Sequence, residues 1–153
     1  MNTFTVVSVN VSTAKGTAKT PVPAITLRPD HGVEGDAHAG PGERQVSLLA
    51  GESIARMRAR HPGLKPGDFA ENITTRGAVL HILPVGTVLT IGEAVLEITR
   101  IGKECHTGCA VARMAGTCVM PTEGVFARVV KGGTIHAESR GHYRVGPGLP
   151  GPV

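Results

Sequence analysis

The feature that most constrains the fold is the frequent interruption of short apolar runs by glycine and proline. The chain of 153 residues contains 21 glycines and 11 prolines, spread along its length without an internal repeat or a block of charge. Such punctuation leaves little room for long helices, and it suits short strands joined by turns. We therefore predict a single β-rich domain, mostly strands with a few short helices, folded as a barrel.

Eight short runs of apolar and β-branched residues predict strands, one of which, Gln45–Leu49, could also be a strand-to-helix junction. They are Thr3–Val11, Ala24–Arg28, Gln45–Leu49, Asn72–Thr75, Thr87–Ile91, Ala94–Ile101, Val125–Val130 and Thr134–His136. The two runs on either side of Gly92-Glu93 have the spacing and turn residues of a hairpin.

Helices are expected at two places. Ile54 and Met57 are three residues apart within Glu52–Arg60, which predicts an amphipathic helix ended by Pro62-Gly63. Cys109–Ala115 is a second, shorter candidate. We assign residues 1–138 to the domain and expect a flexible tail rich in glycine and proline over residues 139–153.

Composition narrows the classes of partner. Aromatic residues make up 3% of the chain, which argues against a stacking platform for single-stranded nucleic acid. The net charge of +4 is modest and dispersed, and it suits an anionic small molecule. No run approaches the roughly 20 apolar residues of a membrane span, and the N-terminus lacks the pattern of a signal peptide. With three cysteines and no such signal, we expect a cytoplasmic protein with reduced thiols and neither a nucleic-acid nor a membrane partner.

The segment Gly102-Lys103-Glu104-Cys105-His106-Thr107-Gly108-Cys109 is the first candidate for chemistry, because it directly follows an apolar strand. A cysteine acts as a nucleophile or sulfur carrier only as the thiolate, which neighbouring cations and helix N-termini favour. Lys103 and His106 are such cations beside Cys105, whereas Glu104 opposes them. The pattern indicates a reactive thiol at Cys105.

Three other interpretations of these cysteines stay open. Free cysteines are often ordinary buried residues. Cys105, His106, Cys109 and Cys118 offer enough ligands for zinc, but the Cys-x3-Cys-x8-Cys spacing departs from that of zinc fingers and ribbons. Cys105 and Cys109 could also form a transient disulfide in a redox step.

The loop Pro29–Glu43 is the second candidate. It carries Asp36 and His38 among glycines, and Arg44 follows it. Arginine presents a planar fork suited to phosphate or carboxylate, and glycines let the backbone approach a ligand closely. The alternative is a solvated loop of ordinary turn residues.

Two isolated polar residues complete the candidates. Asn72 precedes a predicted strand, where its amide can bind a ligand or stabilise its own turn. Arg128 lies in the strand Val125–Val130, where it can face a site or the solvent. Local chemistry favours the structural interpretation of both.

Taken together, these segments resemble the small stand-alone bacterial members of the MOSC family, named for the C-terminal domain of molybdenum cofactor sulfurases. The similarity extends from about Phe4 to Ile135. The stretches that carry it are HGVEGDAHAGPGERQVSLLAGESI, LKPGDFAENITT, LPVGTVLTIGEAVLEITRIGKECHTGCAV and CVMPTEGVFARVVKGG. Their order and spacing are more specific than any one of them alone.

The resemblance implies a MOSC-type β-barrel and a cysteine that accepts sulfur from a cysteine desulfurase. The position after the LEITRIG strand makes Cys105 that cysteine, with Cys109 and Cys118 as secondary candidates. The resemblance also implies a pocket for the pterin phosphate or metal-oxo end of the molybdenum cofactor, lined by Asp36, His38, Arg44 and Asn72. Pyridoxal phosphate, sometimes associated with the family, belongs to the desulfurase partner in fused proteins, and we predict no Schiff base here.

The leading functional hypothesis is a sulfur carrier or transferase that delivers sulfane sulfur to a molybdenum–pterin or other metal–sulfur centre. Its partners would be a cysteine desulfurase as donor and a molybdoenzyme or cofactor-biosynthesis protein as acceptor. One alternative is a non-catalytic module that binds and delivers molybdopterin, and another is a small enzyme acting on N-hydroxylated or sulfur-containing compounds. Exposed strand edges also make a homodimer an expectation.

Overall fold

A computed structural model of the chain describes residues 2–102 and 120–145. Within these residues the chain forms eleven strands and three short helical segments. The strands are β1 (Thr3–Val11), β2 (Thr20–Val22), β3 (Ala24–Arg28), β4 (Gly32–Val33), β5 (Val46–Ala50), β6 (Ile73–Arg76), β7 (Val88–Ile91), β8 (Ala94–Ile101), β9 (Val125–Lys131), β10 (Gly133–His136) and β11 (Arg140–Arg144). The helical segments are α1 (Gly51–Met57), a 3-10 turn (Leu80–Ile82) and α2 (Met120–Glu123).

Seven of these strands close into a barrel, which confirms the predicted fold class. Their order is β11-β7-β8-β9-β5-β6-β1, and β1 pairs with β11 to complete the ring. Only β5 and β6 run parallel among these pairs. Strand β2 pairs with the last residues of β1, and β10, β3 and β4 form a separate small sheet. Closure gives most of the strand edges a partner.

The barrel is filled by apolar side chains from six of its seven strands, β11 being the exception. Phe4, Val6, Leu48, Leu89 and Leu96 are among the residues that meet inside it. A second, smaller cluster lies under α1 and the segment after it, and it comprises Leu49, Ile54, Leu64, Phe69, Ala70 and Phe126.

Helix α1 forms where the apolar spacing predicts it, but it ends at Met57 and not at Arg60. The amide of Arg60 donates to the carbonyl of Met57, three residues back, so the last turn tightens out of the α-helix. The second predicted helix, Cys109–Ala115, lies outside the described residues.

The predicted domain boundary at residue 138 is wrong, because β11 (Arg140–Arg144) is part of the barrel. It pairs with β1 and with β7, so it closes the ring. The inward position of this strand is Gly141, and a Cβ there would lie 2.3 Å from the ring of Phe4. Because Phe4 fills the space that an apolar side chain of β11 would occupy, no alternating pattern marks the strand in the sequence.

No helix in residues 2–102 or 120–145 is long and apolar enough to cross a membrane.

Candidate functional site

A buried ion pair lies where the segment before β2 meets the loop after β4. The Nζ atom of Lys19 lies 2.9 and 3.1 Å from the two carboxylate oxygens of Asp36. Neither side chain has any exposed surface. The backbone of Lys19 is held separately, because its amide donates to the carbonyl of Gly67. Burying two charges is costly unless they pair and their remaining hydrogen-bonding groups are satisfied, and this pair meets both conditions.

The Asp36 carboxylate also accepts two backbone hydrogen bonds. The amide of Ser12 donates to Oδ1 at 3.0 Å, and the amide of His38 donates to Oδ2 at 3.1 Å. Burial, the largest single influence, raises the pKa of Asp36. The hydrogen bonds from Lys19, Ser12 and His38, together with the charge of Lys19, outweigh burial and lower the pKa below its ordinary value. Asp36 is therefore ionised at neutral pH and lies beneath His38, instead of projecting into open space.

His38 connects this buried pair to a surface pocket. Its Nδ1 atom lies 2.9 Å from Nζ of Lys19, and 30% of its side chain is exposed. The pocket has a volume of about 540 Å³ and is lined by Lys15, His38, Glu43 and Arg44, with the backbone of residues 39–41 between them. Two cations and an imidazole thus converge on one cavity, a composition that suits an oxyanion.

The loop that carries Arg44 is tied to the barrel wall. The guanidinium carbon of Arg44 lies 5.6 Å from the centre of the Phe126 ring, within range of a cation–π interaction. The hydroxyl of Thr99, near the end of β8, donates to the carbonyl of Glu43. Arg100 approaches the carboxylate of Glu43 at 4.0 Å. The pocket therefore adjoins the end of β8.

The predicted catalytic residues Lys103, Cys105, His106 and Cys109, together with Cys118, lie outside the described residues. The structure does describe the residues that precede and follow them in the sequence. The amide of Gly102 donates to the carbonyl of Gly124 at 2.7 Å. Gly102 and Gly124, which lie on either side of this segment in the sequence, thus meet at the end of β8 that the pocket loop contacts.

Asn72 is not brought to this pocket. Its side chain is completely buried. Its Oδ1 atom accepts from the amide and hydroxyl of Ser47 at 3.0 and 3.1 Å, and its Nδ2 donates to the carbonyl of Asn10 at 3.2 Å. The amide therefore joins β1 to β5 in the barrel wall, and its predicted contact with a ligand stays a prediction.

Arg128 also lies apart from the pocket residues. Its Nε atom donates to Glu97 at 2.7 Å on the neighbouring strand β8, and its Nη1 lies 4.0 Å from the carboxylate of Asp30. These contacts place Arg128 in an ion-pair network on the outer face of the barrel. Of the candidate binding residues Asp36, His38, Arg44, Asn72 and Arg128, the structure thus brings together Asp36, His38 and Arg44.

Sequence reasoning missed Lys19 and Glu71. Lys19 lies in a polar turn, where a lysine is usually a surface residue, so no local signal marks it. Glu71 is completely buried, and its Oε2 accepts from the amide of Gly67 at 3.0 Å and the hydroxyl of Thr74 at 2.6 Å. Burial raises the pKa of Glu71 above its ordinary value, although these hydrogen bonds oppose it. Glu71 closes the loop that supports Lys19 through Gly67.

A larger cavity of about 620 Å³ lies between α1, the 3-10 turn and β11. Its walls are mainly apolar, and the arginine at its edge, Arg56, is paired with Glu123. None of the described candidate residues lines it. We therefore take the smaller pocket at His38 and Arg44 as the candidate site.

Comparison with known proteins assigns the chain to a family. The MOSC domain family model matches residues 34–140, a range that begins just before Asp36 and ends in β11. Because the match covers well over half of the chain, the protein belongs to the MOSC domain family. No curated protein has significant similarity to the chain.

Solved structures share the fold. The YuaD protein of Bacillus subtilis superimposes with a TM-score of 0.77 at 14% identity, over 94% of this chain and 96% of that one. YiiM of Geobacillus stearothermophilus gives 0.70 at 20% identity, over 92% and 75% of the two chains. YiiM of Escherichia coli gives 0.68 at 17% identity, over 93% and 69%. At such low identities the similarity shows a common fold alone.

Proposed function

We propose that this MOSC protein is a sulfur carrier. Cys105 would accept sulfane sulfur and pass it to a molybdenum–pterin or other metal–sulfur centre whose anionic end binds between Lys15, His38 and Arg44. The observation that carries the proposal is that this cationic pocket adjoins the end of β8, from which the chain leads to Cys105 three residues after Gly102.

The described residues of the pocket fit the anionic end of such a cofactor. Arg44 can hold a phosphate through two parallel hydrogen bonds, and Lys15 adds a point charge. The volume of about 540 Å³ is typical of small-molecule sites. The charge of Lys19 is balanced by Asp36, and Lys15 and Arg44 together exceed the charge of Glu43, so the pocket keeps a net positive charge. When bound, the metal centre would supply the place that accepts sulfur.

The sulfur step that we propose is a thiol–persulfide exchange. The Cys105 thiolate attacks the outer sulfur of a persulfide on the donor, a cysteine desulfurase. A new sulfur–sulfur bond forms on Cys105 while the bond in the donor breaks, and the donor cysteine leaves as a thiolate. The exchange involves no net oxidation. Lys103 and His106 would favour the attacking thiolate, and Cys109 is the alternative acceptor.

Mass spectrometry of the intact protein tests this step. After incubation with a cysteine desulfurase and cysteine, we expect a mass increase of one sulfur atom that thiol reductants remove. The increase should disappear in Cys105→Ser and persist in Cys118→Ser, which serves as the matched control. Loss of the adduct only in Cys109→Ser would move the carrier role to Cys109.

A second candidate function is a module that binds and delivers the cofactor without carrying sulfur. It is favoured by the observation that two cations and an imidazole line one cavity with Glu43, a set that suits binding of an anionic ligand. If none of the three cysteines acquires sulfur while molybdopterin binds, and Arg44→Ala weakens that binding, the carrier proposal is wrong and this alternative stands.

A further inference from the structure

We infer that Lys19 is a positioning residue that holds His38 as a neutral imidazole with its proton on Nε2, so that His38 serves the pocket as a hydrogen-bond donor and not as a base. This assignment rests on the proposed function only in taking the pocket at Lys15 and Arg44 as the ligand site. It depends on neither sulfur transfer nor the identity of the cofactor.

The protonation state of Lys19 follows from its contact with Asp36. Its partner Asp36 accepts hydrogen bonds from Lys19 on both oxygens and from the amides of Ser12 and His38. A carboxyl group surrounded by donors is ionised, because each of these bonds favours the charged form. A buried carboxylate with no exposed surface needs a cation beside it, and Lys19 is the cation in contact. Lys19 is therefore an ammonium group.

Nζ of Lys19 is the donor in each of its hydrogen bonds. An ammonium group has three hydrogens and no lone pair, so every partner of Nζ must accept. Both carboxylate oxygens of Asp36 lie within hydrogen-bond distance of Nζ, at 2.9 and 3.1 Å, and Ser12 Oγ lies 3.0 Å away. The Ser12 hydroxyl donates its own hydrogen to the carbonyl of Ala14 at 3.0 Å, so towards Lys19 it can only accept. His38 Nδ1 lies as close to Nζ as Asp36 Oδ1 does, at 2.9 Å, so it too must accept from the ammonium group.

The contact with Lys19 determines which ring nitrogen of His38 carries a hydrogen. Because Nδ1 accepts from an ammonium group, it carries a lone pair and no hydrogen. The imidazolium form would place an N–H against the ammonium, and the Nδ1–H form would do the same. Asp36 Oδ2 lies 3.8 Å from Nδ1, too far to accept a hydrogen from it instead. The ring is therefore neutral and carries its hydrogen on Nε2.

The functional consequence concerns the class of ligand. With Nδ1 occupied and Nε2 protonated, His38 has no lone pair to offer a substrate proton or a metal. Lys15, Arg44 and His38 then provide hydrogen-bond donors and outnumber the carboxylate of Glu43, so the pocket favours an oxyanion with several acceptor atoms, such as a phosphate monoester.

Nitrogen NMR of the imidazole tests the assignment directly. In uniformly ¹⁵N-labelled wild-type protein at neutral pH, with His38 identified by its absence in His38→Gln, we expect Nδ1 unprotonated and Nε2 protonated. Detection of the Nδ1–H form or of the imidazolium overturns the inference. This measurement uses no ligand, so it succeeds or fails independently of sulfur transfer.

Two variants make the role of Lys19 measurable. In Lys19→Met/Asp36→Asn, which removes both charges of the buried pair and so avoids an unpaired one, His38 should no longer show the single Nε2–H form. An unchanged spectrum would contradict a positioning role for Lys19. Inorganic phosphate provides the ligand probe: His38→Gln, which keeps a donor near the Nε2 position, should bind within a few-fold of wild type, whereas His38→Leu should lose about tenfold or more. Equal loss in both variants would show that the Nε2 donor is not what the pocket uses.

Discussion

Two buried polar clusters support this protein, and they differ in whether they reach the surface. In the barrel wall, Asn72 and Glu71 are completely enclosed and bond to backbone and hydroxyl groups of neighbouring strands. At the pocket, Lys19 and Asp36 are equally buried, but their network continues to His38, which is partly exposed. The comparison teaches that burial of a polar group does not by itself mark a site. What distinguishes the site is that one member of the network reaches the surface.

The largest expected effect comes from breaking the charged cluster on one side. Lys19→Met leaves the Asp36 carboxylate buried without its cation, which should lower the free energy of unfolding by about 3–5 kcal/mol. Urea denaturation measures this loss. Lys19→Met/Asp36→Asn should recover most of it, because the uncompensated charge is gone. A double variant as unstable as the single one would show that the pair contributes through packing.

The next effect comes from removing the Asn72 side chain from the cluster in the barrel wall. Asn72→Ala leaves the amide of Ser47 and the carbonyl of Asn10 without their buried partner, which should cost about 2–4 kcal/mol in the free energy of unfolding. Phosphate binding at the pocket should stay within about twofold of wild type in the folded variant. A loss of phosphate affinity larger than that of Lys19→Met/Asp36→Asn would show that Asn72 contributes to the ligand site.

A smaller effect is expected where β1 pairs with β11 to close the barrel, away from both clusters. A Cβ at Gly141 would lie 2.3 Å from the Phe4 ring. Gly141→Ala should therefore lower the free energy of unfolding by about 1–3 kcal/mol through overpacking. The phosphate affinity should not change, and isothermal titration calorimetry of the folded variant checks this. A parallel loss of affinity would mean that the pocket responds to barrel stability in general.

The smallest expected effects are opposite slopes of stability with pH, at most about 1.4 kcal/mol per pH unit for one proton. The pKa of Glu71 is raised in the folded state, so the folded protein holds more protons between the unfolded and folded pKa values, and stability falls as pH rises through that window. The pKa of Asp36 is lowered, so its contribution is present above the unfolded pKa and is lost as pH falls towards the folded one.

Urea midpoints measured against pH separate these two contributions. Glu71→Gln should flatten the decline on the alkaline side, and Lys19→Met/Asp36→Asn should flatten the decline on the acid side. If either variant keeps the wild-type dependence of the urea midpoint on pH, the carboxyl group that it removes does not titrate as the structure indicates.

Local pattern was sufficient wherever a strand buries alternate or continuous apolar residues. The predicted bounds of β1, β3 and β8 agree residue for residue with the structure, and the hairpin at Gly92-Glu93 joins β7 to β8 as expected. The same logic failed for β11, because the residue facing the interior there is Gly141 and the volume is supplied by Phe4 from a strand far away in sequence.

In the candidate site too, local sequence predicted some features, and others depended on contacts between distant segments. The residue types in the Gly32–Gly40 loop indicate an oxyanion-binding loop, and Asp36, His38 and Arg44 do come together. The sequence could not assign Asp36 to the floor, Asn72 to the wall or Arg128 to the outer face, because these positions depend on which distant backbone groups each side chain meets.

By itself, then, the sequence determined the β-rich barrel, the family and the loop that forms the pocket, since short apolar runs, turn residues and local motifs act over a few residues. Only the tertiary structure decided that Lys19, from a polar turn seventeen positions before Asp36, lies beneath His38 and directs its ring. The physical reason is that a charge can be buried only where a partner and acceptors surround it. Such surroundings are assembled from separate segments when the barrel closes.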